Sequence, residues 1–213
     1  MVQNLNNGSY RPSDRVQRRA EARRYEILRA ASKVFRKRGF DAASMREIAA
    51  EADLSPGNLY HYFSGKVEIL YFCQDRALDR MLAALKAASE SGAPYVEQVD
   101  AVIRAHLCCM LDELEGSTAH LQVEALPDEM QTRIIAKRGR YEKAIRNLVE
   151  NGIDSGEFAT CDPTLVTRAM LGSLNWATRW YRPNGRYSAA EIGEEFANYL
   201  VGGLVSAPPP TTV

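Results

Sequence analysis

The chain has 213 residues with 27 basic and 27 acidic side chains, so its formal net charge is zero. That length excludes a miniprotein that depends on disulfides, and it suffices for a small module joined to a larger one. No run reaches the roughly 18 to 20 apolar residues that a membrane span needs, and the start, MVQNLNNGSYRPSD, lacks the apolar core of a secretory signal. We therefore expect a cytoplasmic protein without membrane contact.

Charge is distributed unevenly along the chain. Residues 11–66 carry 13 basic and 7 acidic side chains, whereas residues 67–213 carry 14 basic and 20 acidic ones. Five of the basic residues precede the apolar face of the first predicted helix: Arg15, Arg18, Arg19, Arg23 and Arg24. A charge run is usually a solvated face, but a basic module on an acidic body favours phosphate contacts by the first third of the chain.

Helical spacing of apolar residues runs through most of the chain, and no strand alternation persists beyond a few residues. Interruptions by glycine, proline and serine divide the chain into about nine helices, which predicts an all-α fold. The polar ends, residues 1–14 and 207–213, are expected to be disordered. Between them we predict a small module over residues 15–68 and a larger helical domain over residues 69–206, connected by a long helix that starts near Lys66.

Two helix starts lie close together in SMREIAAEADLSPGNLYHYFSGK, residues 44–66. Ser44 and Glu47 have the spacing of a capping box, and Ser55 precedes Pro56 at a favoured first helical position. Each helix has one narrow apolar face, so neither can bury that face alone. Two short helices joined by a tight turn and supported by a third form a helix-turn-helix.

The polar face of the second short helix suits a DNA groove. It carries Gly57, Asn58, Tyr60, His61 and Tyr62, and Lys66 follows at the start of the next helix. Small and amide side chains let a helix approach base edges, while tyrosine hydroxyls and an ammonium group can bind phosphates. Packing beneath the helix is the alternative role for Tyr60.

The stretch ILRAASKVFRKRGFDAASMREIAAEADLSPGNLYHYFSGKVEIL, residues 27–70, resembles the DNA-binding domain of the TetR family of transcriptional repressors almost without gaps. The resemblance implies an all-α homodimer that binds a palindromic operator and releases it when an effector enters a C-terminal pocket. By position it assigns base readout to one set of residues: Arg46, Gly57, Asn58 and His61. It assigns phosphate contacts to a second set: Ser44, Tyr60, Tyr62 and Lys66. Because Gly57 has no side chain with which to read a base, more of the readout is expected from Asn58 and His61.

A narrower resemblance concerns the effector. The stretch NWATRWYRPNGRYSAAEIGEEFANYLVGGL, residues 175–204, is similar to a TetR subgroup that regulates sterol, fatty-acid and aromatic- or alicyclic-acid catabolism. Effectors in that subgroup are commonly coenzyme A thioesters, which implies an acyl-CoA here. The alternatives are a free hydrophobic or aromatic compound, as in efflux regulators, and a thiol or metal sensor.

Several residues are candidates for the effector site. Trp176, Arg179 and Trp180 share one helix, where indoles and a guanidinium could stack on adenine and pair with phosphates. In the family, however, the last two helices form the dimer interface, so packing is the alternative for both tryptophans. Apolar candidates for an acyl pocket are Ile103, Leu107, Met110, Leu111, Leu121 and Val123, which equally describe a helical core. A basic run along residues 133–146 could guide the ligand's pyrophosphate or be a solvated face.

No catalytic or metal-binding pattern is evident in the sequence. His106 and Cys109 could share a helix face beside Cys108, but no further ligand lies at useful spacing. The three histidines are scattered, and there is no nucleophile motif or phosphate-binding loop. We expect neither an enzyme nor a bound cofactor or metal.

Overall fold

The computed structural model describes residues 14–111 and 122–205. These residues form eight α-helices: α1 (Asp14–Arg38), α2 (Met45–Glu51), α3 (Pro56–Tyr62), α4 (Lys66–Ser89), α5 (Tyr95–Leu111), α6 (Asp128–Asp154), α7 (Pro163–Trp180) and α8 (Ala189–Gly202). A short 3₁₀ turn, Val123–Ala125, precedes α6. The all-α prediction is confirmed, and the helix number is close to the nine expected. The predicted tails lie outside the described residues, except that Asp14 begins α1.

The helices begin where the capping residues predict. Ser44 accepts a hydrogen bond from the backbone N–H of Glu47, whose carboxylate in turn accepts from the backbone N–H of Ser44, so the capping box at α2 is complete. The Ser55 hydroxyl accepts from the N–H of Asn58 at the start of α3. Because a cap of this kind is worth about 1 kcal/mol, it fixes where each short helix starts.

The first three helices share one core that continues into α4. Each of them contributes a side chain that is at most 2% exposed: Phe35 from α1, Ile48 from α2 and Leu59 from α3. Phe63, the C-cap residue of α3, belongs to the same core. Further along, α4 packs against α5 and α6, and α5 packs against α8. A single long helix therefore belongs to both the small module and the larger domain.

Gly152 permits close packing between α6 and the segment that follows it. A Cβ at this position would lie 2.1 Å from Cδ2 of Phe158, a ring that is only 2% exposed. Because the aromatic ring cannot withdraw without loss of its own packing, we expect Gly152→Ala to lower the free energy of unfolding by about 1–3 kcal/mol. Urea denaturation measures the change.

The same helix offers a matched control for that substitution. At Gly139 a Cβ would meet nothing within 4 Å. Because alanine favours the helix over glycine, Gly139→Ala should raise the free energy of unfolding by up to about 1 kcal/mol. A Gly152→Ala protein as stable as Gly139→Ala would contradict the close approach of Phe158.

Candidate nucleic-acid interface and ligand cavity

Helix α3 presents the predicted readout residues together on one exposed face. Gly57, Asn58 and His61 are exposed, and Tyr60 is 54% exposed, whereas Leu59 on the opposite side is fully buried. Arg46 of α2 is exposed as well. The burial of Leu59 fixes the rotation of α3, so the polar face points outward, free to approach a groove.

Two residues assigned to phosphate contacts have other partners in the structure. The Ser44 hydroxyl donates to Oε2 of Glu47 over 2.9 Å, because it belongs to the capping box. The Lys66 ammonium donates to the carbonyl oxygens of Phe40, Asp41 and Ala43 at 3.0, 2.8 and 3.1 Å. Lys66 therefore holds the turn between α1 and α2, and its three protons are already engaged.

This geometry gives Lys66 a measurable structural role. Since a hydrogen bond from a charged donor is worth about 1.5–3 kcal/mol, we expect Lys66→Met to lower the free energy of unfolding by about that much. Operator binding should weaken through loss of the turn, while the slope of log affinity against log salt stays that of the wild type. Thermal denaturation and binding at several salt concentrations measure both effects.

The control for this substitution is Lys86→Met, because Lys86 is an exposed lysine on the same helix whose only described ion pair is with Glu90. Its stability and DNA binding should match those of the wild type. If Lys66→Met instead reduced the salt slope by about one at unchanged stability, the phosphate contact predicted from the sequence would be supported.

Arg23 and Arg24, the last two of the five arginines near the start of α1, bond to backbone groups at the two ends of α3. Arg23 donates to the carbonyl oxygens of Ala52 and Asp53 at 3.2 Å, in the turn between α2 and α3, where Asp53 has a left-handed backbone. Arg24 donates to the carbonyl oxygen of Tyr62 over 3.3 Å, at the other end of α3. This support of α3 has no signal in the sequence, because the contacts join residues about thirty positions apart or more.

A cavity of about 410 Å³ lies in the larger domain, between α4, α5, α6, α7 and the 3₁₀ turn. Among the described residues, its lining is Leu78, Met81, His106, Val123, Glu124, Arg138, Tyr141, Glu142, Arg168, Leu171, Gly172 and Asn175. The volume is within the range of small-molecule sites. Seven of these twelve residues are polar or charged, so the wall offers hydrogen-bonding and charged groups beside an apolar surface.

Basic residues of α6 link the cavity to α4. Arg138 donates to Oε1 of Gln74 over 3.1 Å, and burial lowers the pKa of its guanidinium, while the charge of Glu124 opposes that change. Lys137 forms ion pairs with Asp75 and Asp79 of α4. Burial opposes the charge on Lys137, but hydrogen bonds to these carboxylates outweigh it and raise the pKa. Lys137 and Arg138, in the basic run along residues 133–146, thus connect α6 to α4 and do not belong to a solvated face.

The structure places most of the predicted effector residues away from this cavity. Trp176 and Trp180 are 65% and 43% exposed, Arg179 is exposed, and none of the three lines the cavity. For the tryptophans the reason is helical geometry: α7 turns Leu171 and Asn175 toward the cavity, and Trp176 and Trp180 are rotated from Asn175 by about 100° and 140°. Arg179 is one turn beyond Asn175, past the residues that line the cavity. For the tryptophans, this favours the interface alternative.

The apolar candidates divide in a similar way. Ile103, Leu107, Met110 and Leu111 are at most 2% exposed and belong to the packed core, where they do not line the cavity. Val123 does line it, and Leu121 lies outside the described residues. The sequence could not separate these roles, because buried core and cavity wall have the same apolar spacing.

The described residues contain no group of three or more His, Cys, Asp or Glu side chains arranged to hold a metal. Cys108 is exposed, while Cys109 is buried with its Sγ 3.6 Å from the carbonyl oxygen of Ala77. His106 faces the cavity instead of the thiols. Within the same residues, no helix is both long and apolar enough to cross a membrane.

Comparison with protein families identifies the chain. Residues 27–71 match the model described as bacterial regulatory proteins of the tetR family, and residues 92–204 match that of the tetracyclin repressor-like C-terminal domain. The chain belongs to the TetR family. It is therefore a DNA-binding transcription regulator and not an enzyme.

Two relatives illustrate the range within this family. The HTH-type transcriptional repressor KstR2 of Mycobacterium tuberculosis is 29% identical over 90% of this chain and 97% of its own. The structure of that ketosteroid transcriptional regulator superposes with a TM-score of 0.77 at 26% identity, over 87% of this chain and 96% of that one. The HTH-type transcriptional activator FasR of Mycolicibacterium smegmatis is 34% identical over 94% of this chain and 90% of its own.

AibR shares the fold at lower identity. Its structure in complex with isovaleryl coenzyme A and operator DNA has a TM-score of 0.69 and 24% identity, over 86% of this chain and 98% of that one. The resemblance to the catabolic TetR subgroup is thus supported by KstR2, whereas AibR shows the shared fold alone.

Proposed function

We propose that the protein is a homodimeric repressor that binds a palindromic operator and releases it when an acyl-CoA thioester enters the cavity. The observation that carries this proposal is that α4 belongs both to the DNA-binding module and to the cavity wall. This helix begins at Lys66, which holds the DNA-binding module, and then contributes Leu78 and Met81 to the cavity wall. A ligand that displaces the wall displaces the helix on which the module is mounted.

The connection between α4 and α6 provides the physical coupling. Gln74, Asp75 and Asp79 bond to Arg138 and Lys137. Gln74 and Asp75 lie between the first residue of α4 and the cavity wall, and Asp79 lies between the wall residues Leu78 and Met81. A ligand group that draws Arg138 away from Gln74 changes the position of α4 directly. Since an effector shifts an equilibrium only by its differential affinity for two states, this contact is where such a difference arises.

The chemistry of the cavity supports an acyl-CoA. Leu78, Met81 and Leu171 offer apolar surface for an acyl group, and the guanidinium groups of Arg138 and Arg168 are suited to phosphates. The cavity volume of about 410 Å³ is within the range of small-molecule sites, and we propose that it receives the acyl portion. The TetR fold holds isovaleryl coenzyme A together with operator DNA in AibR.

One observation favours the second candidate, a free hydrophobic or aromatic effector as in efflux regulators. Glu124 and Glu142 line the same cavity, and Glu142 already pairs with Arg168 over 3.4 Å. These carboxylates oppose the approach of phosphates. An uncharged effector would leave the ion pair undisturbed.

The homodimer is proposed from the outer surface of the last two helices. Helix α7 exposes Leu165 (63%) and Trp176 (65%), and α8 exposes Tyr199 (82%). Val166, Met170 and Leu200 contribute to a groove of about 600 Å³ between the two helices. An apolar surface of this kind, on the helices that form the interface in TetR regulators, is proposed to meet a second copy of the chain.

Isothermal titration calorimetry tests the effector class. We expect butyryl-CoA, octanoyl-CoA or benzoyl-CoA to bind, while the matching free acids do not. Arg138→Gln should weaken the thioester at least about tenfold through loss of a charge-assisted hydrogen bond. Arg133→Gln is the control, because Arg133 lies on the same helix but is exposed and pairs with Glu129. Binding of free aromatic acids with equal affinity would favour the second candidate.

A further inference from the structure

His106 is a buried polar side chain in the larger domain. It is 2% exposed, lines the cavity, and has its Nδ1 3.2 Å from the hydroxyl oxygen of Tyr141, itself 3% exposed. Asn175 of α7 lines the same part of the cavity. Three uncharged polar groups from three helices thus line the same cavity.

Both members of the hydrogen-bonded pair are uncharged at neutral pH. Burial lowers the pKa of His106 to about 4, against a smaller opposite effect of Asn175, and burial also raises the pKa of Tyr141. A neutral imidazole has one donor and one acceptor. When the Tyr141 phenol donates to Nδ1, the remaining proton is on Nε2, next to the Asn175 side-chain oxygen.

The contact between the two side chains is poorly aligned. Asn175 is near enough to His106 to raise its pKa through a hydrogen-bonding contribution, but neither Nε2 of His106 nor Oδ1 of Asn175, both buried, has a hydrogen-bond partner of acceptable geometry among the described residues. Buried polar groups are nearly always paired, because an unpaired one retains its full desolvation cost. A donor and an acceptor side by side on a cavity wall are complementary to a group that does both.

We propose that His106 and Asn175 bind a neutral oxygen, a hydroxyl or a carbonyl, on the apolar part of the effector. The inference rests on the proposed function only in taking this cavity as the effector site. A hydroxyl accepts from Nε2–H and donates to Oδ1, whereas a ketone uses only the first contact and a hydrocarbon neither. A carboxylate is disfavoured, because it would be buried beside the Asn175 oxygen without a positive partner at that position.

The order of affinity follows from this geometry. Ring compounds of similar size should bind in the order cyclohexanol, cyclohexanone, methylcyclohexane. A site built to bond a hydroxyl discriminates strongly against the analogue that lacks one, since its own polar groups are then left unpaired. We expect cyclohexanol to bind at least about tenfold more tightly than methylcyclohexane.

The test is an NMR titration of the full-length protein, labelled with ¹⁵N-histidine, with these three compounds. Cyclohexanol should shift the Nε2 resonance of His106 and show the expected preference. His106→Gln, which retains an amide donor, should keep the preference, and His106→Leu should lose it and bind methylcyclohexane more tightly than the wild type does. Asn175→Leu should make the alcohol and the ketone bind alike.

Three outcomes would overturn the proposal: equal affinity of the wild type for cyclohexanol and methylcyclohexane, no binding of the alcohol, or a preference that persists in His106→Leu. The wild-type ranking decides the question even where a variant does not fold. The probes carry no coenzyme A, so the result is independent of the calorimetry. If no thioester bound but the preference for cyclohexanol held, the acyl-CoA effector would be discarded and the oxygen site retained.

Discussion

Gly57→Leu is expected to reduce operator affinity by at least about a hundredfold without changing the stability of the protein. Gly57 is exposed near the start of α3, and a Cβ there would meet nothing within 4 Å of the protein. The fold itself therefore does not require glycine. If α3 lies in the major groove, the backbone at this position approaches the bases, and a leucine side chain holds the helix away from them.

The matched control is Gly139→Leu, because Gly139 is also an exposed glycine within a helix and has the same open surroundings. This variant should bind the operator as the wild type does. Fluorescence anisotropy measures affinity and circular dichroism measures the melting temperature. Operator binding by Gly57→Leu at wild-type affinity would exclude this face of α3 from the DNA interface.

Trp176→Glu is expected to convert the dimer into a monomer and thereby remove high-affinity operator binding. The side chain is 65% exposed on α7, in the surface proposed to meet the second copy. A carboxylate there would be an unpaired charge buried at the interface, and its desolvation cost exceeds the association free energy of a dimer of moderate affinity. A palindromic operator contacted by a monomer offers only one half-site, so affinity should fall at least about a hundredfold.

Ile135→Glu provides the comparison, because Ile135 is a 54% exposed apolar residue on α6, outside that surface. Sedimentation equilibrium should give a dimer for Ile135→Glu and a monomer for Trp176→Glu. A Trp176→Glu dimer with intact operator binding but no response to ligand would instead revive the sequence-based assignment of Trp176 to the effector site.

Local structure in the DNA-binding module was predictable from the sequence because its signals are short-range. The capping box of Ser44 and Glu47 and the Ser55 cap act over three residues, and all their hydrogen bonds occur in the structure. The four-residue spacing of Leu59 and Phe63 similarly predicted which side of α3 is buried. Such features depend on backbone geometry rather than on distant packing.

The roles of several charged and aromatic residues were not predictable, because they depend on distant partners. Lys66 bonds to carbonyl groups between 23 and 26 positions away, and His106 meets Tyr141 across 35 positions. In the sequence, the spacing of His106 beside Cys108 and Cys109 gave only a weak indication of a metal site. Only the packing of α5 against α6 and α7 turns its ring into the cavity.

The cavity itself had no sequence signal of its own. Its wall mixes apolar residues of α4 and α7 with charged residues of α6 that resemble a solvated run in the sequence. Arg138 and Lys137 acquire their roles only because Gln74, Asp75 and Asp79 face them from α4. The coupling route proposed here is thus a property of the folded chain.

The most direct test of this account is fluorescence anisotropy of the protein on labelled DNA from upstream of its own gene, titrated with a thioester that calorimetry shows to bind. We predict that the thioester releases the DNA at concentrations near its own dissociation constant, while the free acid leaves the complex intact. DNA that stays bound at saturating thioester would contradict the central claim that occupation of the cavity moves α4 and the DNA-binding module.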